Sequence, residues 1–187
     1  MSALLAVDLG VRMGLAAYGR DGRLRWYRSH NFGTAARLRR AIPGLLGAEP
    51  ELTHLVIEGG GALAHGWDVE AAARGLRVEW VSAEAWRALL LYPREQRSGE
   101  QAKRTAALLA RRVIDWSGAR RPTSLRHDAA EAILIGLWGV LRAGWLAHLP
   151  PGLVHDQGQG IRGHGRPPAS GPGDRPPGPP NAPRALG

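Results

Sequence analysis

Ser124-Leu125-Arg126-His127-Asp128-Ala129-Ala130-Glu131-Ala132-Ile133-Leu134-Ile135-Gly136-Leu137-Trp138-Gly139-Val140-Leu141 joins an acidic start to a long apolar run. Ser124 is placed to cap a helix. His127, Asp128 and Glu131 then stand in its first turn, where spacings of three and four residues share one face. Two carboxylates and an imidazole beside a mostly apolar helix are costly without a positive partner. The helix N-terminus supplies part of that partner, and a divalent cation supplies more. Oxygen-rich sites of this kind suit Mg²⁺ or Mn²⁺. Other segments are therefore expected to bring further acids to this turn.

Two acids are candidates. Residues 3–9, Ala-Leu-Leu-Ala-Val-Asp-Leu, are an apolar run of the kind found in a buried strand, interrupted only by Asp8. Thr53–Ile57 is a second such run, and Glu58-Gly59-Gly60-Gly61 ends it. The glycines leave no side chains beside Glu58, so a bulky backbone such as nucleic acid could come close. A flexible turn with a solvated glutamate would read the same way.

The remaining segments frame these. Leu15–Tyr18 and Leu24–Phe32 are strands flanking a hairpin turn at Asp21-Gly22. Helices are expected over Ala35–Leu46 (with Pro43 bending or ending it), Ala62–Gly75 and Ser82–Leu91. A further strand is expected over Leu76–Val81, and a polar loop over 94–99. Ser98 with Gln101 forms a capping box for a long helix, Glu100–Trp116. This order fits an α/β fold with a mixed five-stranded sheet and helices on both faces. The first and fourth strands can be central neighbours there, which brings Asp8 to Glu58. Four converging carboxylates repel unless neutralised, and two divalent cations about 3.5–4 Å apart would do so while clamping a phosphodiester.

The chain has 187 residues, 44% of them hydrophobic, enough for one ordinary core. Residues 1–149 are expected to form that domain, and 150–187, rich in Pro, Gly and Arg, a disordered tail. Absence of cysteine excludes disulfides and thiolate zinc sites. The longest apolar run, Ala132–Leu141, is far below the roughly 20 residues that span a bilayer. No basic region precedes the N-terminal apolar stretch, so a cytoplasmic, nucleoid-associated protein with no membrane partner is expected. A net charge of +9 favours a polyanion, although a bias toward Arg codons would also produce it. Of 25 basic residues only Lys103 is lysine.

Val7-Asp8-Leu9-Gly10 with Gly14, Val56-Ile57-Glu58, and His127-Asp128-Ala129-Ala130-Glu131-Ala132 resemble the three acidic motifs of RuvC-type Holliday junction resolvases, which have a ribonuclease H-like fold. Val81-Ser82-Ala83-Glu84-Ala85-Trp86-Arg87, followed by Lys103, is similar to the region between the second and third motifs. The resemblance spans Leu4 to about Leu141. It implies a homodimer that recognises four-way DNA junctions in recombination and repair. Such a crossover junction endodeoxyribonuclease nicks them with Mg²⁺ or Mn²⁺, two ions per site. It implies Asp8, Glu58, Asp128 and Glu131 as metal ligands and Lys103 at the scissile phosphate. His127 is implied as a ligand, an acid–base group or a neighbour. Arg12, Gly59, Gly60, Trp67, Lys103 and Arg104 are the expected nucleic-acid contacts. Glu131 stands where bacterial members usually have Asp, and Gly59–Gly61 replace their aromatic wedge. Trp67 either stacks on a junction base or belongs to the core.

Two other classes share parts of this pattern. Val7-Asp8-Leu9-Gly10 also resembles the phosphate loop of sugar-kinase and actin-like ATPases, but about 150 folded residues leave no room for their second lobe. No nucleotide cofactor is therefore expected. A different ribonuclease H-fold nuclease, RNA-processing or transposase-like, and a non-catalytic nucleic-acid-binding module on the same scaffold are the alternatives.

Overall fold

A computed structural model describes residues 2–96 and 98–153. The strands are β1 (Ala3–Asp8), β2 (Arg12–Gly19), β3 (Leu24–Asn31), β4 (Leu52–Glu58) and β5 (Arg77–Val81). The helices are α1 (Ala35–Gly47), α2 (Ala64–Ala73), α3 (Ala83–Leu90), α4 (Gly99–Ser117) and α5 (His127–Arg142). Short 3₁₀ turns precede α2 (Gly61–Leu63) and α4 (Pro93–Gln96), the latter overlapping the segment expected to be a loop. The sheet order is β3-β2-β1-β4-β5. β1–β2–β3 is an antiparallel meander, whereas β4 pairs parallel to β1 and β5 parallel to β4. This is the expected mixed five-stranded sheet, with β1 and β4 adjacent.

Period-two alternation divides the strands between two apolar layers. Leu5, Val7, Leu15, Leu55 and Ile57 pack on Leu38, Ile42 and Leu46 of α1 and Trp67 of α2. Leu4, Ala6, Ala16, Tyr18 and Val56 face the other way, onto α3, α4 and α5. β1 is buried on both faces, which is why it reads as a continuous apolar run. The β2–β3 turn uses Gly22 at φ +74, with the Asp21 carboxylate accepting from the Arg23 amide at 3.1 Å.

α5 is apolar all round because it is surrounded: every residue from Ala129 to Val140 except Glu131 is buried. Gly136 and Gly139, three apart on one face, let it lie close on the sheet. A Cβ on Gly136 would stand 2.3 Å from the Tyr18 ring, and one on Gly139 would stand 2.8 Å from Val56. The Tyr18 hydroxyl donates to the Ile133 carbonyl at 2.6 Å, which pins the same contact.

One expectation at an element end is corrected. Ser124 does not cap α5; Arg126 occupies that position and caps through no side chain. Pro43 does not end α1, which runs on to Gly47, because buried Ile42 and Leu46 on either side of the proline hold the helix to the core. Packed chain continues past residue 149. Leu153 is buried in the α5-side layer, and its amide donates to the Pro150 carbonyl at 2.8 Å. The rest of the expected tail lies outside the described residues. By contrast, Ser98 caps α4 as expected, accepting from the Gln101 amide at 3.1 Å. Among the described residues no helix is long and apolar enough to cross a membrane.

Candidate functional site

Strand registers align Ser29, Gly14, Asp8, Glu58 and Val81 in one row across β3, β2, β1, β4 and β5. Directly paired residues project to the same face, so Ser29, Asp8 and Glu58 share the face that α5 covers. Asp8 and Glu58 are also the last residues of two parallel strands, where open α/β sheets form their clefts. The start of α5 meets this row at Gly14. A Cβ there would lie 1.8 Å from the Asp128 carbonyl oxygen. The missing side chain is what lets the first turn of α5 settle beside Asp8. Beyond Glu58, Gly59 takes φ +122 against Leu9, a turn that favours glycine.

The electrostatics report the convergence. The Asp8 carboxyl is pushed up to about 8, first by burial and then by the charges of Glu131, Glu58 and Asp128; Arg87 opposes them. Glu58 is also raised, by burial and then by Glu131, again against Arg87. Asp128 is held by the Ser29 hydroxyl at 2.5 Å and the Ala129 amide at 2.8 Å. Glu131 accepts from the Arg87 guanidinium at 2.8 Å. The other three acids named from the sequence thus lie within electrostatic reach of Asp8.

The other expected residues are not among the charges that act on Asp8 and Glu58. His127 is exposed at the start of α5. Lys103 is exposed on α4, off the inward stripe of Ala102, Ala106 and Leu109, and the base that acts on Asp8 and Glu58 is Arg87. Arg104 pairs with Glu100 at 2.6 Å one helical turn away. Arg12, Gly59 and Gly60 are exposed around the ends of β1 and β4. Trp67 is corrected to a core residue: it is fully buried against α1 on the opposite face of the sheet, where no nucleic acid can stack on it.

Two residues at the site escape sequence reasoning. Arg87 lies in the segment resembling the resolvases, but nothing local distinguishes it among so many arginines. Ser29 is hidden by a bulge. Tyr18 pairs with Leu24 but Ala17 with Trp26, so counting back from the turn puts Arg28 opposite Gly14 rather than Ser29.

Four carboxylates form a donor set that suits a hard divalent cation. Among the described residues no three His, Asp or Glu side chains are grouped so as to hold a metal ion. Arg87 engages Glu131 instead, while Ser29 and the Ala129 amide engage Asp128.

No protein-family model and no curated protein matches the chain. Solved structures do. The structure of T. thermophilus RuvC in complex with a Holliday junction substrate is similar with a TM-score of 0.53 at 17% identity. That match covers 78% of this chain and 98% of the RuvC chain. The yeast mitochondrial Holliday junction resolvase Ydc2 gives 0.48 at 10% identity, over 77% of this chain and 82% of its own. The catalytic core domain of BIV integrase gives 0.33 at 15%, over 71% and 80%. The likeness to RuvC is one of fold, and on it this chain has a RuvC-like, ribonuclease H-like fold.

Proposed function

We propose that the protein is a metal-dependent endonuclease that nicks four-way DNA junctions as a homodimer, in recombination and repair. One observation carries this reading. Asp8 lies beside Glu58 on adjacent central strands and feels the charges of Glu58 and of the two further acids that α5 delivers over Gly14. A fold that only bound nucleic acid would gain nothing from four acids facing a polyanion. The fold likeness to a RuvC structure holding a Holliday junction substrate supports a branched DNA as the partner, as does the charge of +9.

In this reading Asp8, Glu58, Asp128 and Glu131 hold Mg²⁺ or Mn²⁺, with two ions per site. When bound, the ions would offset the charge that builds up on the phosphodiester and acidify a water. The protein's own residues prepare the rest. Ser29 and the Ala129 amide fix the orientation of the Asp128 carboxylate. Burial and the neighbouring acids favour the protonated form of Asp8, and a bound cation's charge would favour its carboxylate. Gly59 and Gly60 keep side chains away from the path of the DNA backbone. His127, exposed next to Asp128, is placed to exchange protons with solvent, and Arg12, Lys103 and Arg104 belong to the surface that attracts phosphates. A two-fold dimer presents two such sites to the two symmetric strands of a junction.

The test is an assay of purified protein on labelled four-way junction, linear duplex and RNA–DNA hybrid, with and without Mg²⁺. Nicking restricted to the junction and abolished by chelation is expected. Glu58→Gln should abolish nicking while junction binding persists. Cutting of the hybrid alone would make the protein a ribonuclease, and tight binding without any cutting would make it a non-catalytic module.

A further inference from the structure

We infer that Arg87 is a built-in counter-ion of the acidic site, competing with divalent cations for the same carboxylates. It holds the cluster together in the metal-free protein and has to yield Glu131 for a metal to bind tightly. The inference rests on the metal-site reading above, but its contents are this chain's own.

Geometry sets the role. The Arg87 guanidinium reaches from α3 to α5 and donates to Glu131 Oε1 at 2.8 Å, with side chains only 29% and 17% exposed. An ion pair so shielded is screened far less than a surface pair. Its charge also acts on Asp8 and Glu58, so one guanidinium serves at least three of the four acids. A cation placed among the same acids would do the same work at higher charge. The two cannot both be close without repelling, and their shared target is Glu131.

The arm is also built to be held rather than to wander. α3 is capped by Ser82, which accepts from the Ala85 amide at 3.2 Å, and is anchored by fully buried Trp86. The Arg87 guanidinium lies over the Trp86 ring, 4.9 Å from its centroid. That cation–π contact is independent of Glu131. It gives the guanidinium a resting place that remains when the carboxylate is taken by another cation.

Mn²⁺ binding to the full-length protein is measured by calorimetry for wild type, Arg87→Gln and Arg87→Lys, alongside melting temperatures in chelator. Arg87→Gln is expected to bind Mn²⁺ at least about tenfold more tightly, the low end of what one neighbouring charge does to a carboxylate equilibrium. Its metal-free form should melt lower, so the rise in melting temperature on adding Mn²⁺ should be larger than for wild type. Arg87→Lys, which keeps the charge, should stay near wild type in Mn²⁺ affinity. Unchanged or weaker Mn²⁺ binding by Arg87→Gln, with wild type still binding, overturns the inference and leaves the metal-site reading standing. Absence of binding in all three overturns both. Should Arg87→Gln not fold, the Arg87 Nε–Hε resonance of the wild type, assigned with Arg87→Lys, decides. A shift on titration with Mg²⁺ is expected, and an unmoved signal refutes the competition.

Discussion

Asp8 follows five residues, Ala3 to Val7, that are completely buried, and it is the one carboxyl on that strand. Its ordinary value of 3.8 rises to about 8 in the fold, because burial and three neighbouring acids penalise the charged form. The consequence for stability has a definite sign. The unfolded chain gives up this proton near pH 4 and the folded one near 8, so the contribution is complete below about 4. It declines as pH rises and is gone above about 8. Asp8→Asn removes that titration. In chelator the variant should melt above wild type at pH 8, with the difference closing toward pH 4; equal melting at pH 8 would contradict the environment described for Asp8. Trp67 gives a second prediction at this scale. Being fully buried on the far face of the sheet, it should cost about 3–5 kcal/mol as Trp67→Ala. The milder Trp67→Phe should leave junction affinity unchanged in a binding titration.

Among the elements, α5 decides whether a site exists. Its approach to the sheet depends on Gly14, Gly136 and Gly139, each of which faces atoms that a side chain would strike. Gly14→Ala would push a methyl group into the Asp128 backbone, which cannot move without carrying the acidic turn with it. Denaturation should show a loss of about 1–3 kcal/mol or more, and nicking should fall along with stability because Asp128 and Glu131 are displaced from Asp8. Gly44 in α1 is the control, since nothing lies within 4 Å of a Cβ built there. Gly44→Ala should instead stabilise the protein by about 0.5–1 kcal/mol, from helix propensity alone.

At the scale of the whole molecule, acids and bases are unevenly engaged. Several surface arginines are neutralised by partners, as in Arg25–Glu51, Arg121–Asp115 and Arg142–Glu79. The remaining excess gives the net charge of +9 its reach toward phosphates. Junction affinity should fall linearly with the logarithm of salt concentration, with a slope of about −0.9 per phosphate neutralised. A flat response in a filter-binding or anisotropy series would argue against a phosphate-tracking surface.

The acids themselves were legible in the sequence because each interrupts a pattern. Asp8 breaks a buried strand, Glu58 precedes a glycine run, and Asp128 and Glu131 open an apolar helix. Strand alternation and the Asp21-Gly22 turn likewise determined the meander and the two-faced sheet. Partnership was decided only in three dimensions. Ser29 reaches Asp128 through a bulge that moves the register by one, and Arg87 reaches Glu131 across two helices that are 44 residues apart at that contact. Trp67 was ambiguous for the same reason, since an aromatic beside a glycine loop can face either DNA or the core. Local pattern reports which side chains are costly to bury; which charge meets which is set by packing distances that sequence spacing does not contain.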